Sequence, residues 1–599
     1  MVAQTTFPTR YHDPEYQEAH NNIHQGKLLA PLEAVLPPGI GQQDFDNAIS
    51  DLTKELGHDG VFTSQSLEDY VDPYELWEVE GKRKMPSAAV CPHSIDELKA
   101  VLRIANQYGL PLWTFSRGKN LGYGGPAPRL NGSVALDLHR MNKIIEVNEQ
   151  FSYAVVEPGV TFTDLYDYCR ARKLKVWPSV PSLGWGSVVG NTLDRGTGFT
   201  PTATHHQNIA GLEAMLADGD LVRTGQFAIP DSPNAHLSKF SFGPSIEGLF
   251  LQSNLGVVTK LGIWLTPQPQ AFMSCSFSVP ALEDIALFID IFSSLRRDGL
   301  LPNTVYCSNL IETLSMVAGP RATIWPHNDT PIPSWRLDEL QRQYDVGWWS
   351  AVFGLYGPAP VIQAHFDEVK RIIALKAPQH AHRLKGELFR GDDAPDGLLD
   401  PTAVPPPYGG FFVGVPSLWS LPMTRYRLPT SDSNNSSEAG RDSSSSNGAA
   451  TNTGIGAHAD YSAIIPSDPA SVLEWVHTAK RIYEAHGLDL FCDFFMHERH
   501  LIFVNMLVID KSCPKQRRAA DSLFRALHAA GTQRGYAKYR AHVNYMDLVA
   551  EGFSFNGHAY RRFVERIKDE LDPGGVLSPG KQGIWPRRYR EFREEQGKL

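Results

Sequence analysis

Cysteine is scarce in this sequence, and the few cysteines stand far apart. Six occur among 599 residues, with no Cys-x-x-Cys pair: Cys91, Cys169, Cys275, Cys307, Cys492 and Cys513. Disulfide frameworks and zinc sites need cysteines at characteristic spacings, so neither is expected to organise the fold. A reducing compartment is the expected setting.

Signals for membrane insertion or export are also missing from the sequence. No window approaches the roughly 18 consecutive apolar residues of a membrane-spanning helix, and residues 1–10 lack the apolar centre of a secretory signal. We therefore expect a cytoplasmic protein without a membrane partner. Residues 597–599 are Gly-Lys-Leu and resemble the Ser-Lys-Leu peroxisomal address, so a peroxisomal location is the alternative.

Positive charge is not in excess. The formal net charge is -10, which predicts no nucleic-acid partner. The hydrophobic content of 42% in a chain of this length is enough for more than one core, so two or more domains are expected.

The feature that stands out is a glycine-rich stretch at 116–125. It follows the apolar run 110–113, which predicts a strand entering a loop. Glycine allows positive φ and close approach of a ligand to the backbone, and two basic side chains add charge. The stretch predicts a pyrophosphate-binding loop, although neither common phosphate-loop pattern fits it and a surface turn is the alternative. Its candidate binding residues are Ser116, Arg117, Gly118, Lys119, Asn120, Gly122 and Gly124.

Strands and helices are predicted to alternate around this loop. Ser94 is the expected N-cap of a helix that runs to Tyr108, with Glu97 at its third position. Glycine turns separate further predicted elements, and the pattern indicates an α+β nucleotide-binding domain. The predicted elements are strands at 88–91, 133–138 and 153–157 and helices at 44–56 and 163–172.

The second half of the chain has a different character. Longer helical runs at 282–297, 338–345 and 361–377 place a domain boundary near residue 270. Residues 430–453 are rich in serine and asparagine and predict a disordered loop.

Six segments, in order, resemble the vanillyl-alcohol oxidase/p-cresol methylhydroxylase flavoprotein family: 122–125, 184–198, 248–260, 456–458, 539–542 and 572–586. The resemblance covers about residues 68–587. It implies an α+β fold with a two-subdomain FAD-binding domain and an α+β cap domain. The implied division is an N-terminal arm and helix at 1–67, the FAD-binding domain at 68–270, the substrate or cap domain at 271–530, and a C-terminal segment at 531–599 that completes the FAD domain.

The resemblance also implies how FAD is held. His458 matches the family position that can be attached covalently to the flavin, and its interval of 81 residues to Tyr539 agrees with the family. An ordinary loop histidine is the alternative. Beyond the glycine-rich loop, the implied cofactor-binding residues are Gly184, Ser187, Gly190, Asn191, Gly256, Val257 and Lys581.

Tyr123, Tyr539 and Arg540 match the family positions that bind a phenol oxygen. A guanidinium and two hydroxyls favour a phenolate over the neutral phenol. A Tyr-Arg pair that bridges the two domains is the structural alternative.

The sequence departs from the family in one motif. Ser182 stands where family members have an aspartate near the flavin, and a hydroxyl cannot act as a general base near neutral pH. Phe199 stands where tyrosine is common. Two carboxylates could replace the missing aspartate: Asp493, which is predicted on an apolar strand of the cap, and Asp460. The apolar surroundings of Asp493 are expected to raise its pKa. Each could instead face solvent or pair with an arginine.

The resemblance thus implies an FAD-dependent oxidase of para-substituted phenols that reduces dioxygen to hydrogen peroxide. Its expected partners are a small phenol, dioxygen and a second copy of the chain in a homo-oligomer. Three alternatives stay open: a dehydrogenase that passes electrons to a cytochrome, a flavin oxidase of a non-phenolic alcohol, and a flavin-binding protein without turnover.

Overall fold

The computed structural model describes residues 14–24, 28–77, 83–406, 408–429 and 454–596. The predicted disordered loop at 430–453 and the C-terminal Gly-Lys-Leu lie outside these ranges. No helix within them has the length and apolar character needed to cross a membrane.

The first sheet carries the glycine-rich loop. It has four strands in the order β1-β2-β4-β3, in which β2 and β3 run parallel to β4 and β1 runs antiparallel to β2. The loop follows β3 directly, as the sequence predicts. The strands are β1 (Val61–Thr63), β2 (Ala88–Val90), β3 (Leu112–Phe115) and β4 (Val134–Asp137).

A second sheet has five antiparallel strands in the order β5-β6-β10-β8-β9, and β7 and β11 form a separate pair. Its core also includes residues of the seven-stranded sheet described next, such as Phe272 and Tyr306. The strands are β5 (Ile144–Asn148), β6 (Tyr153–Val156), β7 (Val176–Trp177), β8 (Ile209–Met215), β9 (Leu221–Arg223), β10 (Val257–Trp264) and β11 (Thr266–Pro267).

The third sheet contains seven strands, and every one lies between residues 271 and 510. Their order is β15-β12-β14-β13-β17-β18-β16, with antiparallel pairing throughout. The strands are β12 (Ala271–Val279), β13 (Val305–Asn309), β14 (Trp349–Gly357), β15 (Lys385–Arg390), β16 (Gly456–Pro466), β17 (Cys492–Met496) and β18 (His500–Asp510).

Sixteen helices occur in the described part of the chain. Several of the longer ones, including α6, α10, α12 and α13, pack on one face of the third sheet and form the largest core. The helices are α1 (Pro14–His24), α2 (Gln42–Leu56), α3 (Ile95–Tyr108), α4 (Phe162–Ala171), α5 (Val188–Leu193), α6 (Ile285–Arg297), α7 (Leu310–Val317), α8 (Arg321–Ile324), α9 (Ser334–Tyr344), α10 (Ala359–Lys376), α11 (Tyr408–Phe412), α12 (Pro469–Ala485), α13 (Pro514–Gln533), α14 (Met546–Glu551), α15 (Phe555–Leu571) and α16 (Glu591–Gln596).

The C-terminal segment returns to the first sheet. Leu112 N donates to Val576 O at 2.7 Å, and Ser578 N donates to Leu112 O at 2.9 Å. The chain end is thereby joined to the strand that precedes the glycine-rich loop. The domain limits given by the resemblance stay a prediction.

Local sequence signals agree well with the observed elements. Ser94 caps α3 by accepting from Glu97 N, and the helix ends at Tyr108 as predicted. Helix α1 differs, because the sequence predicts only an arm there. Tertiary contacts account for it, since Tyr16 is buried and its hydroxyl lies 2.7 Å from Thr163 Oγ1.

Candidate active site

Three connected cavities of about 90, 150 and 220 Å³ run from the first two sheets to the third. The first and second share Ser116, Gly190 and Lys581 among their lining residues. The second and third share Asn120 and Arg540. The shared walls place the three cavities in a row, called the channel below, and a row of this kind suits a long cofactor with a substrate at its far end.

The glycine-rich loop lines the middle of this channel and depends on its glycines. Gly118, Gly122, Gly124 and Gly125 all have positive φ, between 51° and 103°. A Cβ on Gly122 would lie 2.4 Å from His458 Cε1 and 2.8 Å from Asp460 Oδ2. The loop therefore touches the third sheet at a point that only glycine permits.

Most of the predicted cofactor-binding residues line the channel, and the other three pack against residues next to it. Gly122, Gly124 and Gly184 provide close contacts with His458, Val543 and Pro416. Ser187 accepts from Gly190 N at 3.0 Å and shapes the start of α5. The lining residues are Ser116, Arg117, Gly118, Lys119, Asn120, Ser187, Gly190, Asn191, Gly256, Val257, His458 and Lys581.

The side chains that line the channel suit FAD by their charge. Burial lowers the pKa of Lys119 to about 8 and also lowers the pKa of Lys581. Buried cations beside bare loop amides suit the two phosphates of a dinucleotide. A Cβ on Gly190 would lie 2.2 Å from Ser116 Oγ, so this glycine keeps α5 against the loop.

One face of the third sheet forms the far wall of the channel. Side chains alternate along a strand, so β13, β17, β18 and β16 each send every second residue to this face. The strand register places Asp493 opposite Ser308 on one side and Val504 on the other. The side chains that reach the 220 Å³ cavity from these strands are Tyr306, Asp493, Phe495, Ile502, Val504, Met506, His458 and Asp460.

Tyr123, Tyr539 and Arg540 meet at this cavity. The Arg540 Cζ lies 5.0 Å from the centroid of the Tyr123 ring and 5.3 Å from that of Tyr539. Burial raises the pKa of Tyr123 well above its usual value and also raises that of Tyr539. Both hydroxyls therefore stay protonated and can donate hydrogen bonds.

Asp194, which the sequence did not single out, holds Arg540 in place. Its carbonyl oxygen accepts from Arg540 Nε at 3.0 Å and from Nη2 at 2.9 Å. Its carboxylate lies 3.1 Å from Arg540 Nε and accepts from Asn120 Nδ2 at 2.9 Å. The guanidinium is thus oriented by the segment between α5 and the second sheet.

Asp493 is a buried acid on the cavity wall. Its side chain is buried, and within the described residues its Oδ1 has no hydrogen-bond partner. Burial raises its pKa well above the usual value, and Glu312 and Asp460 add to the effect. Ser182 lines the same cavity from the segment after β7, so the two predicted catalytic positions occupy different walls.

Glu312 lies behind this wall and was not identified in the sequence. It is buried on α7 and accepts a short hydrogen bond from the Tyr306 hydroxyl. Burial raises its pKa to about 8, against the effect of that hydrogen bond. Two carboxyl groups with raised pKa values therefore lie near Tyr306.

The carboxylate of Asp460 pairs with His458, and not with an arginine as the alternative had it. The His458 Nδ1 lies 3.1 Å from Asp460 Oδ1, and the imidazole ring packs edge-on against Tyr74 at 5.2 Å. Asp460 is buried, so the expectation that it could face solvent is wrong. Phe199 is fully buried among Tyr306, Phe411 and Phe495 and supports the wall from outside the cavity.

Comparison with known proteins identifies the family of this chain. The profile of an FAD binding domain matches residues 86–225. The 4-cresol dehydrogenase [hydroxylating] flavoprotein subunit of Pseudomonas putida is 30% identical over 558 residues, which span 92% of this chain and 98% of that protein. The chain belongs to the vanillyl-alcohol oxidase/p-cresol methylhydroxylase family.

Solved structures of this flavoprotein family have the same fold. The 4-ethylphenol oxidase of Gulosibacter chungangensis, in complex with isoeugenol, superposes with a TM-score of 0.81 at 31% identity, covering 93% of this chain and 100% of that one. A substrate-bound p-cresol methylhydroxylase gives a TM-score of 0.80 at 28% identity, covering 92% and 99%. The α+β fold with an FAD-binding domain of this type is thereby confirmed, as is an FAD-dependent oxidoreductase.

The sequence analysis did not identify four residues that lie in or near the walls of the channel: Asp194, Glu312, Tyr306 and Lys538. Lys538 immediately precedes Tyr539 and Arg540, and this adjacency is the one signal that could have drawn attention to it. Asp194 lacks a local signal because its partner Arg540 is 346 residues away. Glu312 and Tyr306 are six residues apart, but no motif marks the pair.

Proposed function

We propose that this flavoprotein oxidises para-substituted phenols, such as 4-hydroxybenzyl alcohols and 4-alkyl- or 4-allylphenols. The observation that carries the proposal is the convergence of Arg540, Tyr123 and Tyr539 at one end of the 220 Å³ cavity. Two of the relatives are named for small phenols, 4-cresol and 4-ethylphenol.

The three side chains are suited to a phenolate. Arg540 supplies a permanent charge, and two protonated tyrosines supply donors, so the anion of the substrate is favoured over its neutral form. Electron density from the phenolate oxygen then reaches the para carbon. Loss of hydride from the benzylic position leaves a neutral quinone methide in place of a high-energy cation.

FAD supplies the two-electron acceptor for that hydride. We propose that His458 attaches the cofactor covalently. The glycine at position 122 brings the loop against the imidazole, and Asp460 orients its Nδ1. The contact with the carboxylate fixes the orientation of the ring, as an activated nucleophile requires.

Asp493 is proposed to move protons at the benzylic carbon, in place of the aspartate that Ser182 replaces. Its position on β17 and its raised pKa support an acid or base that works near neutral pH. Water that adds to the quinone methide must lose a proton, and Asp493 in its ionised form can accept it.

Dioxygen is the proposed final acceptor, with hydrogen peroxide as the product. The named 4-ethylphenol oxidase supports this acceptor, whereas the named 4-cresol dehydrogenase supports a protein acceptor such as a cytochrome. The division into FAD domain, cap at 271–530 and returning segment at 531–599 belongs to the same proposal.

The test is anaerobic mixing of the purified yellow protein with 4-ethylphenol. We expect the flavin to bleach, and the O-methyl ether of the same compound to leave it oxidised because the ether cannot form a phenolate. Bleaching by the ether would favour a non-phenolic substrate, and no bleaching by any phenol would favour a binding protein. Oxygen consumption with phenol alone separates an oxidase from a dehydrogenase.

The role of Asp493 is tested with Asp493→Asn, matched by Ser182→Ala on the other wall. We expect turnover of a para-alkylphenol to fall by on the order of 100-fold or more in the first variant and to change little in the second. Equal rates in Asp493→Asn and the parent protein would remove Asp493 from the reaction.

A further inference from the structure

Lys538 is a buried lysine beside the proposed phenol-oxygen site. Its segment runs along the edge of β16, where Ile464 N donates to Ala537 O at 2.8 Å and Tyr539 N donates to Ser462 O at 3.1 Å. Tyr539 lines the cavity, and Lys538 Nζ lies 5.5 Å from the Tyr461 ring and 5.3 Å from the Phe524 ring. The ammonium group is therefore enclosed by aromatic rings instead of water.

This buried cation has a carbonyl partner but no salt bridge. Its Nζ donates to the backbone carbonyl of Asp460. The Asp460 carboxylate is paired with His458, and within the described residues no carboxylate lies within 4.0 Å of Lys538 Nζ. A charged ammonium at this place is costly unless an anion arrives nearby.

Two cations face the same tyrosine. Lys538 Nζ lies 5.4 Å from the centroid of the Tyr123 ring, and Arg540 Cζ lies 5.0 Å from it. Asp194 offsets the charge of Arg540. Burial lowers the pKa of Lys538 to about 7, with Asp460 raising it and Arg540 lowering it further. Near neutral pH the lysine can therefore either hold or lack its proton.

We propose that Lys538 balances the charge of a bound phenolate by gaining a proton when the phenol loses its own. The O–H bond of the phenol breaks, an N–H bond forms at Lys538 Nζ, and the net charge of the site does not change. No electrons are transferred in this step. The proposal rests on the phenolate binding proposed above. It makes Lys538 a positioning residue, because the 220 Å³ cavity is lined by Tyr123 and not by Lys538, whose Nζ lies 5.4 Å from the Tyr123 ring.

Charge balance matters here because the site is enclosed. A phenolate that entered without a compensating proton would add a full negative charge to a region of low polarity. The groups that act on Lys538 come from several elements: Asp460 and Tyr461 on β16, Tyr123 on the glycine-rich loop, Arg540, and His528 on α13. Burial lowers the pKa of His528, and Lys538 lowers it further, so its imidazole is neutral at about pH 8 and is the other nearby base that the test must exclude.

The experiment measures protons and ligand ionisation rather than turnover. The holoenzyme is titrated with 4-fluorophenol, which has no benzylic hydrogen, at about pH 8, between the pKa of Lys538 and the value of about 10 for a free phenol. Ultraviolet difference spectra report whether the bound ligand is a phenolate. Calorimetry in two buffers with different heats of ionisation counts the protons released.

The parent protein is expected to bind phenolate and to release almost no proton. Lys538→Arg, whose side chain is already charged, should bind phenolate and release about one proton per site. His528→Gln is the matched control and should behave as the parent. Lys538→Met should either release about one proton or bind the neutral phenol, because it cannot gain a proton.

Three results would overturn the proposal. The first is release of about one proton by the parent protein when it binds phenolate. The second and third are binding of phenolate without proton release by Lys538→Arg or by Lys538→Met. Binding of the neutral phenol by the parent protein is a separate outcome. It would contradict the phenolate site itself and hence the proposed function.

Discussion

A methyl group at position 122 tests how closely the glycine-rich loop must approach His458. In Gly122→Ala the new Cβ would lie 2.4 Å from His458 Cε1 and 2.6 Å from Nδ1, while ordinary contact begins at 3.4 Å. The imidazole must therefore retreat by about 1 Å. A misplacement of about 1 Å at a reacting group costs on the order of 100-fold in rate. We expect covalent attachment of FAD to slow by that factor.

Gly39→Ala is the matched control for backbone strain. Gly39 has φ +76° and Gly122 has φ +77°, but a Cβ on Gly39 meets no atom within 4 Å. Both variants should lose roughly 1–2 kcal/mol of stability from the left-handed backbone. Only Gly122→Ala should disturb the histidine, so the difference between the variants isolates the contact.

The assay adds FAD to protein produced in riboflavin-depleted cells and follows the yellow colour retained in acid-precipitated pellets over time. Thermal unfolding of both variants checks that each is folded at the temperature of the assay. Equal attachment rates in Gly122→Ala and Gly39→Ala would refute the geometric reasoning. A pellet that stays colourless in the parent protein would show that His458 makes no covalent bond.

Two further substitutions test the walls of the cavity. Arg540→Lys keeps the positive charge but loses the guanidinium group that contacts Asp194 and Asn120. The dissociation constant of 4-fluorophenol, read from the flavin spectrum, should therefore rise about 10- to 100-fold. An unchanged constant would argue against phenol binding at Arg540. Glu312→Gln should change the dependence of stability on pH. Because the pKa of Glu312 is raised from 4.5 to about 8 on folding, the parent protein should lose about 1.4 kcal/mol per pH unit from this group as pH rises through that window. The urea midpoint of Glu312→Gln should therefore fall less steeply between pH 5 and pH 8 than that of the parent, and parallel curves would contradict a proton held on Glu312.

Local sequence determined the elements that depend on neighbours along the chain. The glycines of 116–125 could be read as a ligand-binding loop because positive φ is a property of single residues, and four of them adopt it. The capped start of α3 is likewise local, since Ser94 and Glu97 lie within one turn. Tyr123, Tyr539 and Arg540 were reached through family resemblance, and Asp493 through its place in an apolar predicted strand. The structure brings all four to one cavity.

Tertiary structure alone decided which other side chains complete that cavity. Arg540 meets Asp194 across 346 residues, and Lys538 meets Asp460 across 78. Glu312 has neither a motif nor a periodic position to mark it, and its significance comes from Tyr306 and from the strand beside it that carries Asp493. Burial of these charges is a property of the packed sheet and helices, because a side chain's pKa depends on what surrounds it in space. The order of residues along the chain could not reveal that environment.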